Sequence, residues 1–414
     1  MRIKTTTYSD VLAKALTVLL ARTFAHHYRI TQSLIERSEE RETVCMRRAF
    51  QAFTPPSALG SAESPALFYR KSLGVSLGLS ILSFGLLLPA LQLRADPDSF
   101  QSVPSKAQNC AAVLLRLDME SFDAHKSALF DAMLQTVKEM PADSIPALMK
   151  QEGIGCGFLF GRKEGGREMA EKVYAAFPNQ FILGTFKRSD WWREHPEHFI
   201  SEIKKDLGRS SYRGIGEIHI RHNEKTHDNM EEVVKSVDSP QVFQVAELAR
   251  KFNVVLYVHL EATHLDEDLE PFKRLLQKFR DVRFVWSHAG WAHADLVEAL
   301  LAQNPNLWVT LSKRFPLDNN LKASELETKI APNIFSDYPA GKLDPQWRSL
   351  LVRHSERMMF ATDSNTPTMY KHIFAEYTRI FRQALSSLPE KTARDIGYRT
   401  AAKLFQSTAT SAAR

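Results

Sequence analysis

Four stretches of this 414-residue chain end an apolar, β-rich run on side chains fit for metal or acid–base chemistry. Gly214-Ile215-Gly216-Glu217-Ile218-His219 ends on a glutamate and a histidine. Val254–His259 and Val282–His288 each end on a histidine, the second followed by Ala289-Gly290. Met358-Met359-Phe360-Ala361-Thr362-Asp363 ends on an aspartate. Carboxylate and imidazole together suit a zinc-type divalent ion. Side chains alternate across a strand, so Glu217 shares a face with His219, and His259 with Glu261. An ion held by a carboxylate and imidazoles converging from separate strands would polarise a carbonyl or bring the pKa of a bound water down to about 7. Asp363 could then accept the water's proton or ligate the ion. Each residue alone is weak. A strand histidine such as His219 is more often a hydrogen-bonded structural residue, and Asp363 before Ser364 also suits a turn cap. The set carries weight because its members fall on successive strand ends.

The elements that must position them repeat. Strands are expected at Leu129–Gln135, Gly155–Phe160, Gln180–Phe186, Arg213–Ile220, Asn253–His259, Val282–His288, Asn306–Leu311 and Arg357–Asp363. Helical patterns over Ala142–Glu152, Glu164–Phe177, Glu194–Leu207, Pro240–Phe252, Glu267–Arg280, His293–Gln303 and Pro345–His354 lie between them, and further ones over Met369–Leu385 and Glu390–Phe405 follow. A long loop, Ser312–Lys342, precedes the last strand. Eight strand–helix repeats predict an α/β fold, a TIM (β/α)8 barrel, whose strand ends converge on one face. Glu217, His259, His288 and Asp363 then fall on strands four, five, six and eight. The rival, a doubly wound open sheet, would carry a glycine-rich nucleotide turn, and neither GxGxxG nor GxxxxGKS/T is present.

Gly-Glu-Ile-His at 216–219, His259, Trp-Ser-His-Ala-Gly at 286–290, Leu-Asp-Pro-Gln-Trp-Arg at 343–348 and Ala-Thr-Asp-Ser at 361–364 match one family in type and order. In these residues the chain from about 129 to 405 resembles the amidohydrolase superfamily, specifically its amidohydrolase-related group of metal-dependent hydrolases. The resemblance implies that Glu217, His259 and His288 are metal ligands and Asp363 the strand-eight acid or base. It also implies a departure. The family's first strand ends in Asp-Ala-His-x-His, and the best-placed counterpart here is Asp131-Ala132-Met133-Leu134-Gln135. A thioether and an amide are poor zinc ligands. A second counterpart, Asp123-Ala124-His125-Lys126-Ser127, keeps one histidine. We prefer Met133 and Gln135, because the chain after them runs straight into a helix. The expectation is one zinc where relatives bind two metals, acting on a small carbonyl substrate through a metal-activated water. Two alternatives stay open: a decarboxylase of the same family, and a non-catalytic, metal-free barrel that binds a small molecule.

Other residues carry weaker expectations. His219, Arg314 and Trp291 are read as substrate-binding. Arg314 could clamp a carboxylate, and His293, which like Trp291 follows the His288 turn, could line the pocket. Trp191-Trp192 could floor the pocket or face a neighbouring subunit. Lys187 and Arg188 read as solvated, and Asp266–Glu270 as a solvated, acidic helix start.

Residues 1–71 hold 11 Lys/Arg against 6 Asp/Glu, so most of the net charge of +6 sits there and the remainder is close to neutral. That excludes an electrostatic footprint for nucleic acid in the folded part. The reading divides the chain into a basic extension (1–71), a signal or membrane-anchor segment (72–95) and the barrel (96–414). Ser72–Leu93 is uncharged, follows Arg70-Lys71 and is followed by Ala95. Its roughly 20 apolar-rich residues could span a bilayer or serve export. The expectation is an exported, periplasmic or anchored protein that touches membrane only through this segment; self-association is left open. Cys45, Cys110 and Cys156 show no ligand spacing and read as isolated thiols.

Overall fold

The computed structural model describes residues 110–116, 121–222, 233–312 and 334–409. The basic extension, the Ser72–Leu93 segment and Arg314 lie outside these residues. Among those described, no helix is long and apolar enough to cross a membrane.

Eight strands form the barrel: β1 (Leu129–Thr136), β2 (Ile154–Gly161), β3 (Phe181–Gly184), β4 (Tyr212–His222), β5 (Val255–Leu260), β6 (Arg283–Trp286), β7 (Leu307–Thr310) and β8 (Met358–Met359). They pair in chain order and all in parallel. The ring closes through backbone bonds from Ala132 N to Phe360 O (3.0 Å), Asp363 N to Met133 O (2.9 Å) and Gln135 N to Ser364 O (3.1 Å). This is the expected TIM barrel. A two-residue strand, Val233–Val234, adds antiparallel to the end of β4.

Inward side chains fill the barrel rather than leave a pore. Phe158 stacks on Tyr257 and on Phe405, each at 4.8 Å. Phe405 comes from the C-terminal helix Thr400–Ala409, so that helix contributes to the barrel core. A second apolar layer lies between strands and outer helices. The helix Pro240–Phe252 shows how local sequence sets an element. Ser239 caps it by accepting from Val242 N, proline opens it, and Asn253 ends it at φ +50°. Val242, Val245, Ala246 and Ala249 form its buried stripe.

Three expectations are corrected here. Cys110 and Cys156 are not isolated thiols. They form a disulfide, with Cα atoms 5.4 Å apart, that ties the helix Cys110–Arg116 to β2. The acidic helix start is not wholly solvated, because Asp268 is buried against Arg221. The stretch expected as a loop, Ser312–Lys342, carries a strand, Phe335–Asp337, that pairs with Lys342–Leu343 as a small hairpin.

Candidate active site

Irregular backbone aims the side chains at the C-terminal ends of the strands. Against β5, strand β4 slips in register between Ile215 and Ile218, and again between His219 and Arg221. Such bulges re-aim side chains beside active sites. Gly216 sits at the first slip. Its N–H donates to Thr185 Oγ1 (3.1 Å), and a Cβ there would lie 2.2 Å from Thr185 O, so only glycine lets β3 approach this closely. The second slip turns Arg221 out to Asp268 and Glu267 and turns His222 toward His259. After β6, His288, Ala289, Gly290 and Trp291 all take positive φ, between 48° and 61°. Asp363 does too, at φ 49°. Non-glycine residues resist this region by roughly 1–2 kcal/mol each, and such strain clusters at functional sites.

The structure brings Glu217, His259, His288 and Asp363 together. One donor atom each from Glu217, His259 and His288 lie within 4.8 Å of one another, and all three side chains are buried. Glu217 Oε1 is 2.9 Å from His259 Nδ1 and 3.4 Å from His288 Nε2. Asp363 Oδ2 stands 3.7 Å from His288 Nε2. His219 joins them, with Nε2 3.4 Å from Glu217 Oε2 and Nδ1 3.2 Å from Ser189 Oγ. The Trp291 ring stacks over His288 at 5.7 Å. His293 stays exposed where the following helix, Ala294–Gln303, begins. Trp192 is buried and donates its indole N–H to His219 O, so it braces β4 from outside, whereas Trp191 lies half-buried under Arg188.

Met133 and Gln135 lie on β1, and both reach the end of the barrel where the site forms. Met133 Sδ is 3.8 Å from Ser312 Oγ, and the Gln135 amide donates to Asp363 Oδ1. His125 is exposed in the turn before β1 and takes no part. Two residues expected to be solvated are not. Lys187, three residues beyond β3, is buried and its ammonium bonds Glu217 Oε2. Arg188 is half-buried and paired with Asp190 (2.6 Å). Lys187 follows an apolar strand just as His259 and His288 do, and that placement was the available signal.

The electrostatics follow from burial and pairing. Burial works against the Glu217 charge, but the Lys187 ammonium and the His259 ring outweigh it and hold the carboxyl well below the usual range. Burial draws Lys187 below its ordinary value against the pull of Glu217. Burial likewise pushes His219 well down and His288 down. His259, set between Glu217 and Glu261, is raised despite its burial.

Carboxylates and imidazoles thus converge at the C-terminal face of a parallel eight-stranded barrel, the face where TIM-barrel enzymes carry their active sites. The chain belongs to the amidohydrolase family, whose pattern matches residues 168–406. That membership supports a metal-dependent hydrolase in general terms, and the Glu217–His259–His288 donors fit a divalent ion. No curated protein matches the chain. Among solved structures, it is similar to an uncharacterised TIM-barrel protein from Bordetella bronchiseptica, at 15% identity and TM-score 0.44, over 64% of this chain and 82% of that one. It is similar also to an amidohydrolase from Mycoplasma synoviae, at 12% identity and TM-score 0.43, over 69% and 89% of the two chains. A TatD-family hydrolase from Entamoeba histolytica is similar at 8% identity and TM-score 0.43, over 68% and 99%.

Proposed function

We propose that this chain hydrolyses a small carbonyl-containing substrate with one zinc-type ion held by Glu217 Oε1, His259 Nδ1 and His288 Nε2. The observation that carries the reading is the convergence of those three donors with Asp363 at the ends of β4, β5, β6 and β8. Two imidazoles and a carboxylate are a borderline donor set of the kind zinc takes. When bound, such an ion supplies Lewis-acid polarisation and a more acidic water. The chain's own residues do the rest. Gln135 donates to Asp363 Oδ1 while Oδ2 stands toward His288 Nε2 at 3.7 Å, and Oδ2 would be the oxygen that accepts a proton. Lys187 compensates Glu217 from the far oxygen and so leaves Oε1 to the ion. His219 and Trp291 line the substrate side. Met133 and Gln135 deny the centre a second ion on the β1 side. Arg314, outside the described residues, would bind a substrate carboxylate. The same groups would also serve a decarboxylation.

One observation favours a second reading, a metal-free barrel that binds a small molecule: Lys187 on Glu217 and Gln135 on Asp363 already give both carboxylates a partner. Chelation separates the two. We expect hydrolysis of an activated ester such as p-nitrophenyl acetate to be lost on chelation and restored by zinc. Asp363→Asn should lower kcat by about 10²–10⁴-fold with zinc content unchanged. No turnover and no zinc retention by the folded chain under zinc supplementation would favour the metal-free reading, and undiminished turnover by the chelated protein would overturn the ion's role. For localisation we propose export to an oxidising compartment, and the Cys110–Cys156 disulfide supports it.

A further inference from the structure

His259 faces two ways. Its Nδ1 meets Glu217, whereas its Nε2 points outward to a different pair, Glu261 and His222. We propose that His222 Nδ1, His259 Nε2 and Glu261 Oε1 form a further site for a zinc-type divalent ion at the ends of β4 and β5.

The geometry is that of a preformed tripod. The three donor atoms are 3.2 Å (His222 to His259), 3.0 Å (His259 to Glu261) and 2.9 Å (His222 to Glu261) apart. Donors bound tetrahedrally at zinc distances stand about 3.3 Å apart. An ion therefore enters with movements of a few tenths of an ångström. All three side chains are at least nine-tenths buried. Among the described residues, Arg221 pairs with Asp268 and Glu267, and Lys187 with Glu217. Glu261 Oε1 stands against both imidazoles; His222 would offer the lone pair of Nδ1, and with both ions present His259 would bridge them as an imidazolate, its ring proton released on loading. Two nitrogens and one oxygen select zinc over calcium or magnesium, which take oxygen ligands. The second bulge in β4 makes the site, because strict alternation would turn His222 away from His219. An ion here would clamp the ends of β4 and β5 and, through the shared ring, fix the orientation of His259 toward the inner centre. The plainer role for Glu261, orienting the His259 ring as a carboxylate partner, predicts no ion.

Zinc content separates these roles, and separates the failure of this site from failure of the inner one. The full chain is stripped with chelator, reloaded with excess zinc, desalted and analysed by mass spectrometry, with circular dichroism to verify each variant's fold. The parent should hold about two ions, His222→Ala and His288→Ala about one each, and the double variant none. Zinc should also raise the parent's Tm by several degrees, and His222→Ala should lose part of that rise while keeping its inner ion. A parent with one ion that His288→Ala loses and His222→Ala keeps would overturn the outer site alone. One ion with the opposite pattern would uphold it and overturn the inner site. No zinc in the folded parent would overturn both. Should His222→Ala not fold, Glu261→Gln takes its place with the same expectation.

Discussion

Lys187 is the residue on which the charge balance of the site turns. Its ammonium is the compact cation beside the Glu217 carboxylate, and both groups are buried. Removing one member of a buried pair leaves the other uncompensated, at a cost of about 3–5 kcal/mol. Lys187→Gln should therefore lower the unfolding free energy of zinc-free protein by that order in urea denaturation. The deficit should shrink when zinc is bound, because the ion replaces the lost charge at Glu217. An equal deficit with and without zinc would contradict the role given to the pair. At this scale the sequence was readable in part. Glu217, His259, His288 and Asp363 stood out because polar groups ended apolar runs. Lys187 did the same, but lysine reads as surface by habit, and only the ring of strands shows that the end of β3 abuts Glu217. His222 was hidden for another reason. Alternation from Glu217 and His219 assigns it to the opposite face, and a bulge is a backbone irregularity without a clear sequence mark.

Among elements, the left-handed turn from His288 to Trp291 places the imidazole of His288, the proposed ligand. Gly290 lies at φ +61°, and a Cβ there would stand 2.0 Å from the Trp286 ring. Trp286 in turn donates its indole N–H to Leu260 O at 2.8 Å, so the ring has little room to yield. Gly290→Ala should cost about 2–4 kcal/mol of stability by backbone strain and overpacking together, and should misplace His288. The check is chemical denaturation alongside zinc retention. A variant as stable as the parent, with normal zinc content, would show that the turn does not hold the ligand. Most elements were legible where capping and periodicity agreed, as over Pro240–Phe252. The pattern failed at breaks that tertiary contacts decide. The helices expected over Glu194–Leu207 and Met369–Leu385 are each preceded by, or split into, a shorter helix, Ser189–Glu194 and Pro367–His372. The eighth strand shrinks to Met358–Met359, because the chain beyond it turns to close the barrel.

That closure ties the whole molecule together, and Asp131 sits on the seam. Its carboxyl accepts from Thr362 N (3.0 Å), Thr362 Oγ1 (2.7 Å) and Met133 N (3.0 Å). Burial raises its pKa from 3.8 to about 7, against the lowering effect of those bonds. Between about pH 4 and 7 the folded chain thus holds a proton that the unfolded chain has lost, so stability falls as pH rises across that window. The gap between 3.8 and about 7 is worth at most about 4 kcal/mol. Asp131→Asn should flatten the stability profile over that range, and an unchanged slope in urea denaturation would contradict the assignment. The barrel itself was legible because its repeat count survives errors in single boundaries. The disulfide was not, since no spacing in the sequence reveals that Cys110 and Cys156 meet.

The proposed chemistry rests on an ion bound by Glu217, His259 and His288. The most direct test is anomalous diffraction at the zinc edge from crystals of the reloaded chain. A peak is expected within about 2.0–2.2 Å of Glu217 Oε1, His259 Nδ1 and His288 Nε2, lost in His288→Ala and kept in Met133→Ala. A well-ordered map from zinc-saturated crystals with no peak among those three donors would contradict it.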